Sequence, residues 1–190
     1  MVEKVRITDS LAHETGSLKK NLLDVINVRS EYFTKTSEIS PKLVKNIKEA
    51  LKNPTKIENL EPNIKGALSQ FGEILNNMEN SNADEYQLMI EIEGLDFPLK
   101  HHKSALHAIK QDEEIIKNVQ NVAKNLSKST SFFANDDTTK QLITHSLTSF
   151  EEAYDKFKNH SKNTMNLLER LSKELEVEHK KARDKYKNIL

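Results

Sequence analysis

Residues 62–100 read PNIKGALSQFGEILNNMENSNADEYQLMIEIEGLDFPLK, and how this stretch folds decides the architecture. Ile64, Ala67, Leu68, Phe71, Ile74, Leu75 and Met78 recur at three- and four-residue intervals, the signature of one apolar helical face. A polar stretch follows from Glu79 to Glu85, after which Met89, Ile92, Leu95 and Leu99 resume the pattern. The seam continues through Ala105, Ile109, Ile116, Val119, Ala123 and Leu126. Because the phasing persists across Gly94 and Pro98, these residues are expected to bend the helix rather than end it. The reading is one helix from about 62 to 130, roughly 100 Å long. A break at 79–85, with Ser81 as a new N-cap, would instead give a monomeric bundle of four or five helices.

On the N-terminal side, Thr8-Asp9-Ser10 offers capping oxygens before Leu11, Leu18, Leu22, Val25 and Ile26. A first helix is therefore expected from about residue 10 to 52, kinked at Pro41 and stopped by Asn53-Pro54. On the C-terminal side, Asp136 and Asp137 are set to cap a third helix. It runs to residue 190 through Ile143, Leu147, Phe150, Tyr154, Phe157, Leu168, Leu171 and Leu175. Two helices of such length can pair along their whole extent, whereas the first covers only part of them. A second copy of the chain is the expected cover for the remainder. The prediction is all-α: a single domain over 1–190 of three long, kinked, antiparallel helices, paired as an elongated coiled-coil homodimer.

The segment Ala67-Leu68-Ser69-Gln70-Phe71-Gly72-Glu73-Ile74-Leu75, with Phe97-Pro98-Leu99-Lys100 some way on, resembles the second helix of a BAR domain. The likeness is nearest to the BAR domains that accompany PH domains in RhoGAP and ArfGAP proteins. The resemblance implies a crescent-shaped antiparallel dimer with Phe71, Leu75, Met78, Leu168, Leu171 and Leu175 at its interface. It also implies a cytoplasmic, peripheral membrane protein that binds anionic phospholipid, senses or shapes curvature, and scaffolds endocytic or cytoskeletal regulators. The alternative is a membrane-independent helical adaptor that binds another protein, such as a small GTPase.

Charge is segmented along the chain. Formal net charge is zero, yet seven acids and no base lie between Lys65 and Lys100. The C-terminal run of Lys180, Lys181, Arg183, Lys185 and Lys187 contains a single acid, Asp184. Antiparallel pairing about residues 129–135 would set these blocks side by side, neutralising each other. Lys103, Lys110, Lys117 and Lys124 are seven apart, so they form one row about 150° from the apolar seam. Lys100 and Lys128 extend the row, and these six are the expected membrane-binding residues. A solvated outer face is the plainer reading of any such row. Phe132 and Phe133 are placed in a tip loop, as a membrane wedge or as packing for the bundle end.

The remaining chemistry is excluded by residue type and spacing. His101, His102 and His107 are separated by one, five and six residues, not the three or four that bring two ligands onto one helical face. No metal or other cofactor is expected. Their protonation below about pH 6.5 would instead add to the lysine row. Zero Cys removes disulfides and thiolate chemistry. A neutral total without aromatics among the lysines argues against nucleic acid. No Gly-rich phosphate loop, nucleophile elbow or nucleophile–base pair suggests an enzyme. The first residues lack the apolar core of a signal peptide, and no stretch approaches the roughly 20 apolar residues of a membrane span.

Overall fold

The computed structural model describes residues 2–95, 98–131 and 136–190. They form four helices: α1 (Val2–Lys52), α2 (Ile57–Glu93), α3 (His102–Thr130) and α4 (Asp137–Ile189), with a 3-10 turn at Pro54–Lys56 between the first two. The chain is all-helical, as its periodicity predicts. α4 begins and ends within a residue of the expected third helix.

The middle helix differs. It does not bend near Pro98 but stops at Glu93, and the chain reverses before α3 starts at His102. Two contacts register the reversal: the Asn82 side-chain amide donates to the Ile109 carbonyl at 3.1 Å, and that of Gln120 donates to Asn76 Oδ1 at 3.1 Å. α2 and α3 are thus an antiparallel hairpin, not one continuous rod. The physical reason lies at the turn. Pro98 has no N–H to give a helix, and the N–H groups of Lys100 and His101 are taken by the Glu174 carboxylate of α4, at 2.9 and 3.2 Å. Two backbone donors just ahead of α3 are thus met by a side chain far away in sequence. Residues 79–85 remain helical, so the alternative break there does not occur. Phe97, Phe132 and Phe133 lie outside the described residues.

α1 starts before the expected cap. Thr8 Oγ1 donates back to the Lys4 carbonyl at 2.9 Å, a contact internal to a helix, and the helix continues through Pro41. It ends where Asn53 precedes Pro54. α2 likewise starts before Pro62, which falls in its second turn.

Each helix contributes a stretch to two compact units. Unit 1 holds residues 1–30, 82–110 and 162–190, and its core gathers Leu18, Leu22, Met89, Ile109, Leu168 and Leu175 from all four helices. Unit 2 holds residues 31–81 and 111–161, around Leu43, Phe71, Leu75, Val119, Phe150 and Phe157. Its centre is aromatic. Phe71 meets Phe150 edge-on at 5.3 Å between centroids, and Tyr154 packs against both.

Phe71, Leu75, Met78, Leu168, Leu171 and Leu175, expected at a dimer interface, are buried by the chain's own helices. The hairpin supplies the cover for which a second copy was invoked. The expected neutralisation of the acidic stretch by the C-terminal run is also absent among the described residues. Asn82, two residues before Asp84, is in register with Ile109, whereas Lys181 pairs with Glu178 of its own helix. That register presupposed an unbroken middle helix.

The start of α4 is capped as predicted by residue type. Asp136 accepts from the Thr139 N–H and the Thr139 hydroxyl, both at 2.8 Å. The backbone bond from Thr139 is the main reason its carboxyl is held below the usual aspartate range. A folded-state pKa below the unfolded one contributes stability above the unfolded pKa, and this is lost as pH falls through the folded value. Asp136→Ala should therefore lower the melting temperature at pH 7. Circular dichroism melts at decreasing pH should show the gap to the parent closing through the acid range. A gap independent of pH would mean that the carboxylate contributes no such linkage.

Candidate functional site

The expected membrane-binding lysines map to the outer face of α3 and the turn before it. Lys103, Lys110, Lys117, Lys124 and Lys128 are exposed on α3, and Lys100 is exposed in the turn. The opposite face of α3 carries Ala105, Ile109, Ile116, Val119, Ala123 and Leu126, all buried. Packing of that seam forces the lysines outward, because positions seven apart keep one face while the seam takes the other. Lys100, Lys103 and Lys110 belong to unit 1, and Lys117, Lys124 and Lys128 to unit 2.

The two groups have different surroundings. In unit 1, the Lys110 ammonium sits 5.6 Å from the centre of the Tyr86 ring, a cation–π arrangement. In unit 2, Lys117 pairs with Glu113 at 2.6 Å, and this contact raises the Lys117 pKa and lowers that of Glu113. Both residues are exposed, so the pair is screened and exchangeable. C-terminal to Glu114, the rest of α3 contains no acid: Lys117, Lys124 and Lys128 are interspersed with Asn118, Asn121, Asn125 and Ser127.

Sequence reasoning missed the neighbour that widens this face. In unit 2, a cleft of about 240 Å³ runs between α2 and α3, lined by Lys65 and Lys124, by Ser69, Gly72 and Ser127, and by the apolar floor of Leu68, Leu75 and Ala123. Small residues on both helices let it open, and no carboxylate lines it. Lys65 also bonds Glu61 one turn back at 2.9 Å, outside the lining. The missing information was the antiparallel register of α2 and α3, because Lys65 and Lys124 are 59 residues apart.

Two of these three histidines make contacts within the fold. His102 is buried, its Nε2 2.7 Å from the Met89 carbonyl. His101 is half-buried, its Nδ1 3.3 Å from Glu174. That contact fits an ion pair if the ring is protonated but lacks hydrogen-bond geometry, so Nδ1 has no hydrogen-bond partner. His107 is exposed. Among the described residues, no cluster of three or more His, Cys, Asp or Glu is placed to hold a metal.

Two polar pairs, one buried and one largely buried, were not anticipated. In unit 1, Arg29 of α1 makes a bidentate contact with the Glu85 carboxylate of α2, its Nε donating at 3.0 Å. In unit 2, His160 Nε2 of α4 lies 2.7 Å from Asp112 Oδ1 of α3. Both pairs join neighbouring helices and fix their register. The sequence offered a faint signal: Arg29 falls where the apolar stripe Leu18, Leu22, Ile26 would place its next member.

Among the described residues, no helix is long and apolar enough to cross a membrane. No family model matches the chain, and no curated protein or solved structure matches it.

The Arg29–Glu85 pair has a measurable consequence for stability. Arg29→Met leaves the Glu85 carboxylate in the core, which should cost about 3–5 kcal/mol in urea unfolding. Combining it with Glu85→Leu should restore most of that loss. A double variant as unstable as the single one would show that the penalty is not the stranded charge.

Proposed function

We propose that the chain is a helical module that binds anionic phospholipid surfaces through the basic outer face of α3. The observation carrying this reading is the face in unit 2. Lys117, Lys124 and Lys128 all project from one rigid helix, Lys65 stands across the α2–α3 cleft, and the cleft is lined by no acid. The cleft's amphiphilic lining, with lysines and serine hydroxyls at its edge over an apolar floor, matches the polar-to-apolar boundary of a phospholipid layer. The zero net charge does not oppose this, because headgroups respond to local charge within a Debye length of about 8–10 Å. The crescent mode of curvature recognition needs an unbroken middle helix. The proposal is therefore electrostatic docking of a helical face, with no shape-based sensing attached.

Each lysine near an anionic surface is worth about 1 kcal/mol, so reversing three should weaken binding by more than about 100-fold. The test is co-sedimentation with phosphatidylcholine vesicles with and without about 30% phosphatidylserine, at low and physiological salt. The parent should pellet only with the anionic vesicles and progressively less as salt rises. Lys117→Glu/Lys124→Glu/Lys128→Glu should remain in the supernatant. Glu113→Gln/Glu114→Gln should bind more tightly than the parent, because it releases Lys117 from its partner and removes two repelling charges. Pelleting indifferent to the triple reversal would exclude this face as the lipid contact.

A further inference from the structure

In unit 1, α1 and α4 run past the end of the α2–α3 hairpin. The hairpin's turn is level with Glu174, whose carboxylate holds the Lys100 and His101 N–H groups. Beyond that level, α4 continues to Ile189 and keeps α1 beside it. The Lys19 ammonium lies 3.4 Å from Glu176, and His179 Nδ1 lies 3.0 Å from the Ala12 carbonyl. The imidazole of His179 lies over Gly16, where a Cβ would approach Cε1 to 2.9 Å, so the two helices are closely packed here.

The core stripes of both helices also continue past the hairpin. Ile7 and Leu11 extend the row of Leu18 and Leu22, while Ala182, Tyr186 and Ile189 extend the row of Leu171 and Leu175. Under the hairpin, Leu18, Leu22, Leu171 and Leu175 are 0–5% exposed. Beyond it, the small Ala12 and Ala182 stay buried where the two helices meet, but Ile7 is 63% exposed and Leu11, Tyr186 and Ile189 are only half-buried. Among the described residues, two helices therefore present an apolar face that α2 and α3 cover elsewhere in the unit.

We infer that this face pairs with the same face of a second copy of the chain, forming a two-fold, antiparallel four-helix bundle centred on Ala182. Three features select a second copy. The part of α4 beyond the hairpin, residues 176–189, has its midpoint beside Ala182, so an antiparallel partner spans it fully. Glu178 and Lys185 lie seven apart on one edge of α4 and nearly equidistant from that centre. A two-fold axis there sets Glu178 opposite Lys185 of the second copy, twice, whereas a parallel pairing would set like charges together. Glu178 makes an exposed contact with Lys181, at 3.0 Å, which exchanges readily. Finally, two helices about 22 Å long and 10 Å wide offer roughly 450 Å² per copy, below the roughly 800 Å² of a standard interface, so the association is micromolar rather than permanent.

Sedimentation velocity of the full chain from about 1 to 200 μM provides the test, the range being set by the micromolar affinity expected. Mass should rise from monomer to dimer across that range. Ile7→Glu should hold the chain monomeric without loss of helicity. Glu178→Lys and Lys185→Glu should each weaken dimerisation at least tenfold, and the double variant Glu178→Lys/Lys185→Glu should recover it. A parent that is monomeric at the highest concentration overturns the inference, as do single reversals without effect or a double variant that fails to recover. Ile7→Glu that loses vesicle binding while the parent sediments as a monomer would assign the face to lipid and overturn it equally. The lysine reversals on α3 leave this surface untouched, so failure of the lipid reading and failure of this one are separable.

Discussion

The antiparallel return of α3 along α2 determines how the apolar seams are covered. α1 and α4 exceed fifty residues each, and neither can bury its stripe unless other helices lie along it. Folding the middle of the chain back on itself supplies two shorter helices that do so, and Glu174 anchors the approach to α3 by accepting the N–H groups of Lys100 and His101. Every later property follows from that return: the intrachain burial of Phe71, Leu75 and Leu171, the α2–α3 cleft, and the uncovered ends of α1 and α4.

Polar contacts set register where apolar contacts cannot. Leucine, isoleucine and methionine pack in many alignments at similar energy, so a long bundle with an entirely aliphatic interior would tolerate sliding. The bidentate Arg29–Glu85 contact, the Asp112–His160 contact and the Ser129–Ser146 hydrogen bond at 2.7 Å each fail if neighbouring helices shift by a turn. A shift would leave buried charges or hydroxyls without partners, at a cost of several kcal/mol. Here buried polar groups act through specificity more than through net stability.

The outer surfaces divide the work that the two proposals assign. The basic face of α3 depends on exposed lysines held by a buried seam, and the interaction proposed for it is electrostatic and salt-sensitive. The α1–α4 face depends on apolar stripes that outrun their cover, and the association inferred for it is hydrophobic with charge at the edge. Reversing charge on one leaves the apolar area of the other unchanged.

Residue order alone determined the helical class, the buried face of each helix, the cap at Asp136 and the outward row of lysines on α3. These are local properties: hydrophobic period, capping chemistry and seven-residue spacing act within a few turns of one helix. Tertiary structure alone decided the direction of the chain after Gly94, the pairing of Lys65 with Lys124 across a cleft, and the partners of Arg29 and Asp112. An apolar stripe records which side of a helix faces the core but not which way the chain runs. Ile92, Leu95, Leu99 and Ala105 keep their phase through a bend and through a reversal alike. The choice between the two was made by packing, because only the reversal lets the same chain cover its own long seams.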